Sequence, residues 1–440
     1  MATHHPRFLC QTPEIGRSLV DGNVQTDRIG KITEMKRILL SLVLVLSMTF
    51  EAFGSNSPKV LAKIPFDMVG TYVVLKVKIN ENPPLNLLLD SGIGTTLITE
   101  LTAGDSVVFD KTYKTILKGL GAGIDMQAWV SDSNTLKISR FKLSDQTIMV
   151  LEADIFNLSK HTGTRMNGIL GADFFDNQIV RVDYTNKCIY LYDAGSFAPP
   201  KGFVSVPISM EGHKMFMEVP IQDANGRIRT VRMLIDTGAE LTAWFRSYGN
   251  NPVPVPSRKI RGYIGRGLSG DIEGSLGRLS KIWIGDFLLT NPVVAFPDSV
   301  SISGTSINAQ REGTVGSQLL SRFDLIFDKA GNKLYVKPNY MYKMPFPYNM
   351  AGVEVVQDNE TYQLPQVLNV WENSPGQEAG VKAGDFILEI NGYNGFKISI
   401  NEIKNIFETR SKSTVQLILL RDGKAIHAKL KLKNVLEVAS

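Results

Sequence analysis

Apolar and polar residues alternate with a period of two through much of the first 340 residues, which is the pattern of half-buried β-strands. Segments 72–78 and 187–192 are typical, because they alternate and are rich in β-branched and aromatic residues. Few segments in this region show apolar residues at helical spacing. Such a segment occurs at 400–409, near the C terminus. The pattern therefore predicts a mainly β protein that ends in a smaller α+β region.

Two of the apolar runs end in closely similar triplets, Asp90-Ser91-Gly92 and Asp236-Thr237-Gly238. The second aspartate follows the first by 146 positions (236 − 90), and the downstream glycines Gly171 and Gly316 are 145 apart (316 − 171). Similar tails follow both glycines. The triplets, the downstream glycines and the tails thus recur at nearly the same spacing, which predicts a duplicated lobe.

The chemistry of the triplets suggests that the two carboxylates meet. An aspartate at the end of a buried run is costly unless its charge is satisfied, and the neighbouring hydroxyl and glycine amide can do this. Two close carboxylates share one proton, because both cannot easily ionise. Taken singly, each aspartate also fits a turn-capping residue. The paired spacing favours a catalytic dyad.

With these motifs the chain resembles the pepsin/retropepsin-like aspartic proteases, in the bacterial form with two lobes and a C-terminal PDZ domain. The resemblance covers residues 58–435 and rests on both triplets and on the elements Ile169-Leu170-Gly171 and Thr314-Val315-Gly316. It implies a two-lobed acid protease fold made of duplicated β lobes, followed by an α+β PDZ domain.

The resemblance also implies roles for residues. Asp90 and Asp236 would activate a water between them, Ser91 and Thr237 would brace the pair, and Gly92 and Gly238 would allow the tight turns. Three positions depart from the family pattern, and they bear on fine geometry: Thr314 replaces an apolar residue, while Gly94 and Glu240 stand where a small hydroxyl residue is common.

The C-terminal region resembles a PDZ domain, a module that captures a peptide terminus by strand addition. Its carboxylate-binding loop would be Ala351, Gly352 and Val353, and its amphipathic helix would span 400–409. The alternative is a packing module that binds no peptide.

Glycine-rich segments in both lobes are candidate hairpins over the cleft, or plain surface hairpins. They are 117–123 and 261–270, and Tyr263 is the candidate flap aromatic.

Four domains are expected from the shifts in pattern. They are a polar extension with a signal peptide at 35–54 (residues 1–54), lobe 1 (55–196), lobe 2 (197–340) and the PDZ domain (341–440). A basic start, a short apolar segment and small residues at its end are typical of a secretory signal. An N-terminal anchor helix is the alternative, although the run is short for a membrane span.

Composition narrows the functional classes. The 440 residues are 43% hydrophobic and 21% charged, with a net charge of +5 spread along the chain, so no nucleic-acid partner is expected. His161, His213 and His427 are isolated, so neither a metal site nor a cofactor is expected. Cys188 would be a buried structural thiol.

The sequence thus predicts an exported aspartic endopeptidase of the bacterial envelope, periplasmic or extracellular, that cleaves proteins or peptides as a monomer. Its PDZ domain would recruit substrate or regulate the enzyme, with a C-terminal peptide as ligand, and no stable membrane span would remain after signal removal. The alternative is a non-catalytic peptide-binding adaptor that works through its PDZ domain and cleft.

Overall fold

The structure is a computed structural model that describes residues 58–109, 112–117, 126–249, 251–267, 270–302, 311–358, 363–409 and 413–436. The expected signal peptide and extension (1–54), Cys10 and residues 118–123 of the first glycine-rich segment lie outside these ranges.

The first lobe contains eleven strands and one short α-helix. They are β1 (Val60–Pro65), β2 (Asp67–Val69), β3 (Tyr72–Ile79), β4 (Pro84–Leu89), β5 (Thr96–Ile98), β6 (Thr112–Leu117), β7 (Met126–Ile138), β8 (Phe141–Leu151), α1 (Leu158–Thr162), β9 (Gly168–Leu170), β10 (Ile179–Asp183) and β11 (Cys188–Tyr192). Single 3-10 turns occur at Ala103–Asp105, Ala172–Phe175 and Ala194–Ser196.

The second lobe repeats this plan. Its elements are β12 (Val204–Glu211), β13 (Lys214–Gln222), β14 (Ile228–Ile235), β15 (Ala243–Phe245), β16 (Lys259–Gly267), β17 (Gly270–Arg278), β18 (Lys281–Ile284), β19 (Phe287–Thr290), β20 (Val293–Pro297), α2 (Ser299–Ile302), β21 (Gly313–Val315), α3 (Ser317–Leu320), β22 (Phe323–Asp328) and β23 (Lys333–Pro338).

The C-terminal domain is a small sheet with two helices, as the sequence predicted. Its elements are β24 (Val353–Gln357), β25 (Pro365–Val370), α4 (Pro375–Glu378), β26 (Phe386–Ile390), β27 (Tyr393–Asn394), α5 (Ile400–Glu408), β28 (Thr414–Arg421) and β29 (Lys424–Lys431). Two positive-φ residues in each of the turns Asn391–Gly392 and Asp422–Gly423 suit tight hairpins. Helix α5 begins with a capping box between Ser399 and Glu402.

The two lobes share one sheet, in the order β1-β11-β10-β22-β23-β12. Strand β10 of the first lobe pairs antiparallel with β22 of the second, in the register Val180 to Phe327 and Val182 to Leu325. Backbone hydrogen bonds therefore cross directly between the lobes, and they fix how the two halves approach each other.

The core is continuous across the lobes and the C-terminal domain. Phe174 and Phe175 fill the first lobe, Phe245 and Phe296 fill the second, and Phe407 of α5 fills the C-terminal domain, all almost fully buried. Each such side chain contributes about 1.5–3 kcal/mol by leaving water. Cys188 is buried and free, as expected.

The segment between β23 and β24 packs against the second lobe. The guanidinium of Arg322 donates to the carbonyl oxygens of Met341 (3.1 Å) and Pro345 (2.8 Å) and lies 3.7 Å from the ring centre of Phe346. Phe346 and Tyr348 are themselves buried. The connection to the C-terminal domain is thus anchored along its length.

No helix in the described part of the chain is both long and apolar enough to cross a membrane.

Candidate active site

The two triplet aspartates each follow a central strand of their lobe. Strand β4 runs parallel to β9, and β14 runs parallel to β21 in the same way. The backbone amide of Asp90 donates to Leu170 O (2.9 Å), and that of Asp236 donates to Val315 O (3.0 Å). The apolar-apolar-glycine elements therefore fix the backbone from which each carboxylate projects.

Four reciprocal hydrogen bonds join the triplets. The amide of Ser91 donates to Thr237 Oγ1, and the amide of Thr237 donates to Ser91 Oγ, both at 3.1 Å. The Ser91 hydroxyl donates to Ile235 O and the Thr237 hydroxyl to Leu89 O, both at 2.8 Å. Because all these groups are buried, losing any one bond leaves a costly unpaired group. This network holds the two turns together.

The two glycines let the carboxylates come close. The amide of Gly92 donates to Asp90 Oδ1 at 2.6 Å, and that of Gly238 donates to Asp236 Oδ1 at 3.0 Å. A Cβ on Gly92 would lie 2.5 Å from Asp236 Cγ, and a Cβ on Gly238 would overlap the carboxylate of Asp90. Each glycine thus packs against the aspartate of the other lobe.

Burial raises the pKa of both aspartates in this pair. Burial, followed by the charge of Asp236, raises the pKa of Asp90 well above its usual range. Burial also raises the pKa of Asp236, but the positive charge of Arg311 and a hydrogen bond with Asp90 oppose the rise. The pair therefore shares one proton, and the charge of Arg311 favours the ionised form of Asp236.

The charge beside Asp236 comes from a buried arginine with its own support. Arg311 is 6% exposed, donates through Nε to Gly313 O (3.2 Å) and through Nη2 to Thr314 Oγ1, and stacks 4.9 Å from the Trp244 ring centre. Thr314, a departure from the family pattern, is therefore a partner of Arg311. The repeat offset of 145 places Met166 and Ile169 at the corresponding positions of the first lobe.

Comparison with known families agrees with this geometry. Residues 75–174 match the family model described as aspartyl protease, and residues 351–432 match the model described as PDZ domain. The chain carries an aspartyl protease domain and a PDZ domain.

The aspartyl protease match covers most of the first lobe. Among solved structures, an aspartic proteinase from Irpex lacteus matches with a TM-score of 0.39 and 11% identity, over 64% of this chain and 98% of that one. A search of curated proteins finds no match.

Further residues of the aspartyl protease domain surround the dyad. Burial raises the pKa of Tyr72 well above its usual range, and Glu240, Tyr263 and both triplet aspartates add to the rise. The Tyr72 hydroxyl therefore lies within electrostatic range of the dyad. Lys214 is also within electrostatic range of the dyad: burial and then Arg311 lower its pKa, and Asp236 and Asp90 oppose that effect.

The second-lobe hairpin of β16 and β17 reaches across to the first lobe. The ring of Tyr263 stacks on that of His161 in α1, with centres 6.1 Å apart and planes 8° apart. Burial lowers the pKa of His161 to about 4, so the stacked imidazole is neutral near pH 7. Tyr263, the candidate flap aromatic, thus forms a contact between the lobes.

Sequence reasoning missed Tyr72, Lys214 and Arg311. None belongs to a motif, and only the fold brings them to the dyad. A signal was nevertheless present for Arg311: the position two residues before the glycine strand holds methionine in the first repeat and a charged residue in the second. Such an asymmetry between duplicated lobes indicates a local charge requirement.

The predicted carboxylate-binding loop of the PDZ domain is buried, and the side chain of Asn349 engages two of its amides. Asn349 Oδ1 accepts from the amides of Ala351 (3.1 Å) and Gly352 (2.9 Å). Val353 starts β24, and its carbonyl accepts from Asn349 Nδ2 at 2.9 Å. A peptide carboxylate at this loop would have to replace the carboxamide oxygen of Asn349.

Within the described ranges, no group of three or more histidine, cysteine or acidic residues is placed to hold a metal ion.

Replacing Gly92 by alanine should lower peptide hydrolysis by roughly 10²-fold, because displacing a reacting group by about 1 Å costs that much. The added Cβ would lie 2.5 Å from Asp236 Cγ and push the carboxylates apart. Gly94→Ala is the matched control, since its Cβ meets nothing within 4 Å. Steady-state kinetics on both variants test this, and equal activities would contradict it.

Proposed function

We propose that this chain is an aspartic endopeptidase that hydrolyses peptide bonds through a water activated between Asp90 and Asp236. One observation carries the proposal: the reciprocal bonds of Ser91 and Thr237 hold two buried aspartates against each other. A pair used only to cap turns would need neither this bracing nor burial from water.

The reaction follows from the unequal surroundings of the two carboxyl groups. Asp236, whose negative charge Arg311 stabilises, takes a proton from the water as the oxygen attacks the scissile carbonyl carbon. Asp90 donates its proton to the carbonyl oxygen, which forms a tetrahedral diol. The proton gained by Asp236 then passes to the leaving nitrogen, while Asp90 takes back a proton from one hydroxyl of the diol. The C–N bond breaks, and a carboxylic acid and an amine are released. The two titrations belong to the pair as a whole.

A second candidate is a non-catalytic peptide-binding adaptor. The observation in its favour is the PDZ domain, a module whose fold serves peptide recognition. The intact dyad favours the enzyme, because an adaptor has no need for two braced, buried carboxyl groups.

The test is hydrolysis of a degenerate peptide library by the full chain, from acidic to neutral pH. We expect the library to be cleaved. A peptide in which a tetrahedral hydroxyl group replaces the scissile bond should block this cleavage, and a metal chelator should leave it unchanged. Cleavage that resists the mimic would reject the aspartic mechanism. No cleavage, together with binding of labelled library peptides, would support the adaptor.

We further propose that the protein is exported through the signal sequence at 35–54, to the periplasm or the exterior of a bacterial cell. The basic start, apolar segment and small residues near 52–54 support this. Fusing residues 1–57 to a reporter that is active only after export tests it. An inactive fusion would contradict export.

A further inference from the structure

We propose that the ligand groove of the PDZ domain is a docking surface for helix α1 of the first lobe, and that this docking closes one end of the active-site cleft. A peptide that occupies the groove displaces α1 and opens that end to long substrates. The proposal rests on the proposed endopeptidase function.

The groove lies between β24 and α5. Among the described strands, β24 pairs only with β25, so its other edge is the one at which a peptide strand would add. Helix α1 packs against both β24 and α5. The first lobe therefore already covers the edge that an external peptide would use.

Side chains confirm how close this contact is. A Cβ on Gly163, which ends α1, would lie 3.1 Å from Ile400 Cγ1 of α5 and 3.2 Å from Gln357 Oε1 of β24. Lys160 Nζ of α1 lies 3.0 Å from the carboxylate of Asp358, just beyond β24. One helix thus meets both walls of the groove, with apolar contact at its end and an ion pair at its side.

Helix α5 also contacts the catalytic turn of the second lobe. Lys404 Nζ lies 2.9 Å from Glu240 Oε2, and Glu240 is four positions after Asp236. A Cβ on Gly70, in the first-lobe hairpin that leads to Tyr72, would meet both Glu240 and Asn401 of α5. Glu240, which departs from the family pattern, therefore links the PDZ domain to the turn that carries Asp236.

A third contact involves the hairpin of β16 and β17. A Cβ on Gly262 would lie 2.6 Å from the indole of Trp371, which follows β25 and is buried. The next residue, Tyr263, stacks on His161 of α1. The PDZ domain thus touches α1, the turn that carries Asp236 and Glu240, and this hairpin together, and the proposed closure of one cleft end rests on these three contacts.

The anchored connection favours this arrangement. Because Arg322 holds the carbonyls of Met341 and Pro345, little free chain separates the second lobe from β24. A short connection raises the effective concentration of the PDZ domain at α1. An external peptide must therefore compete with a partner that is always present.

The decisive variant is Lys404→Glu, compared with Lys429→Glu. Lys404 pairs with Glu240 of the second lobe, so a glutamate at this position would repel the docked lobe. Glu354 and Glu408, which also lie within electrostatic range of Lys404, belong to the PDZ domain itself. Lys429 lies exposed on β29, the sheet edge opposite β24, and gives the same charge change away from the contact. Lys160→Glu breaks the contact from the first-lobe side, outside the PDZ fold.

Binding of fluorescent, degenerate short peptides with a free carboxyl terminus is measured in an Asp90→Asn background, so that the result does not depend on hydrolysis. We expect about tenfold tighter binding for Lys404→Glu, and tighter binding for Lys160→Glu, because the competent fraction of grooves rises. Lys429→Glu should bind like the parent. Equal binding by all four chains would overturn the proposal.

The same substitutions are then tested in the chain that keeps Asp90. For each variant we measure the rate of cleavage of an unfolded protein divided by the rate for a short peptide. This ratio should be several-fold higher for Lys404→Glu and Lys160→Glu than for Lys429→Glu. If peptides bind more tightly but the ratio of protein cleavage to short-peptide cleavage is unchanged, the proposal that docking closes one end of the cleft is rejected. Absent hydrolysis alongside tighter binding would reject the proposed protease function and keep the docking surface.

Discussion

Replacing Asp90 by asparagine is expected to lower kcat for peptide hydrolysis by about 10³-fold or more, the scale of general acid–base catalysis by one positioned group. Asparagine keeps an oxygen that can accept from the amides of Gly92 and Ile93, as Asp90 Oδ1 does now. It cannot carry the proton that the carbonyl oxygen needs. Asp236→Asn should be equally inactive, because one dyad performs both transfers.

The matched control is Asp132→Asn, which makes the same chemical change at an exposed position. Its activity should equal that of the wild type. Thermal unfolding of all three variants separates lost chemistry from lost folding. Substantial activity in either dyad variant, with the Asp132 control unaffected, would assign hydrolysis to another site.

Replacing Arg311 and Thr314 together by methionine and isoleucine should move the bell-shaped pH profile of kcat/KM to higher pH. This double variant gives the second lobe the residues at the corresponding first-lobe positions, Met166 and Ile169. Arg311 lowers the pKa of Asp236, so without Arg311 the dyad should reach its singly ionised form at higher pH. A cation at close range accounts for on the order of one pH unit or more.

Arg311→Lys is the control that keeps the charge while removing the guanidinium. If charge sets the profile, this variant should stay near the wild-type pH optimum, even if its stability falls. A double variant with an unshifted profile would mean that Arg311 serves only to hold Trp244 and Thr314. Full profiles with one short substrate distinguish these outcomes.

The sequence predicted the dyad because its determinants are local and repeated. An apolar run, an aspartate, a hydroxyl residue and a glycine specify one turn, and duplication makes the pairing of two such turns readable. The mainly β class and helix α5, predicted at 400–409 and observed at Ile400–Glu408, followed from periodicity.

The remaining site residues depend on contacts between distant segments. Glu240 and Lys404 are 164 positions apart (404 − 240), and no local pattern in either segment indicates the other. Arg311 is a buried charged residue just before β21, at a position where burial alone favours an apolar residue. The role of Arg311 becomes clear only from the fold. The fold brings Arg311 into electrostatic range of Asp236 and places Thr314 where it can accept from the guanidinium.

The sheet shared by the lobes has a consequence for how the protein unfolds. Because β10 and β22 exchange backbone hydrogen bonds at the centre of a continuous sheet, separating the lobes would expose unpaired strand edges on both. We therefore expect the two lobes to unfold together, so that a substitution which destabilises one lobe also lowers the melting temperature of the other.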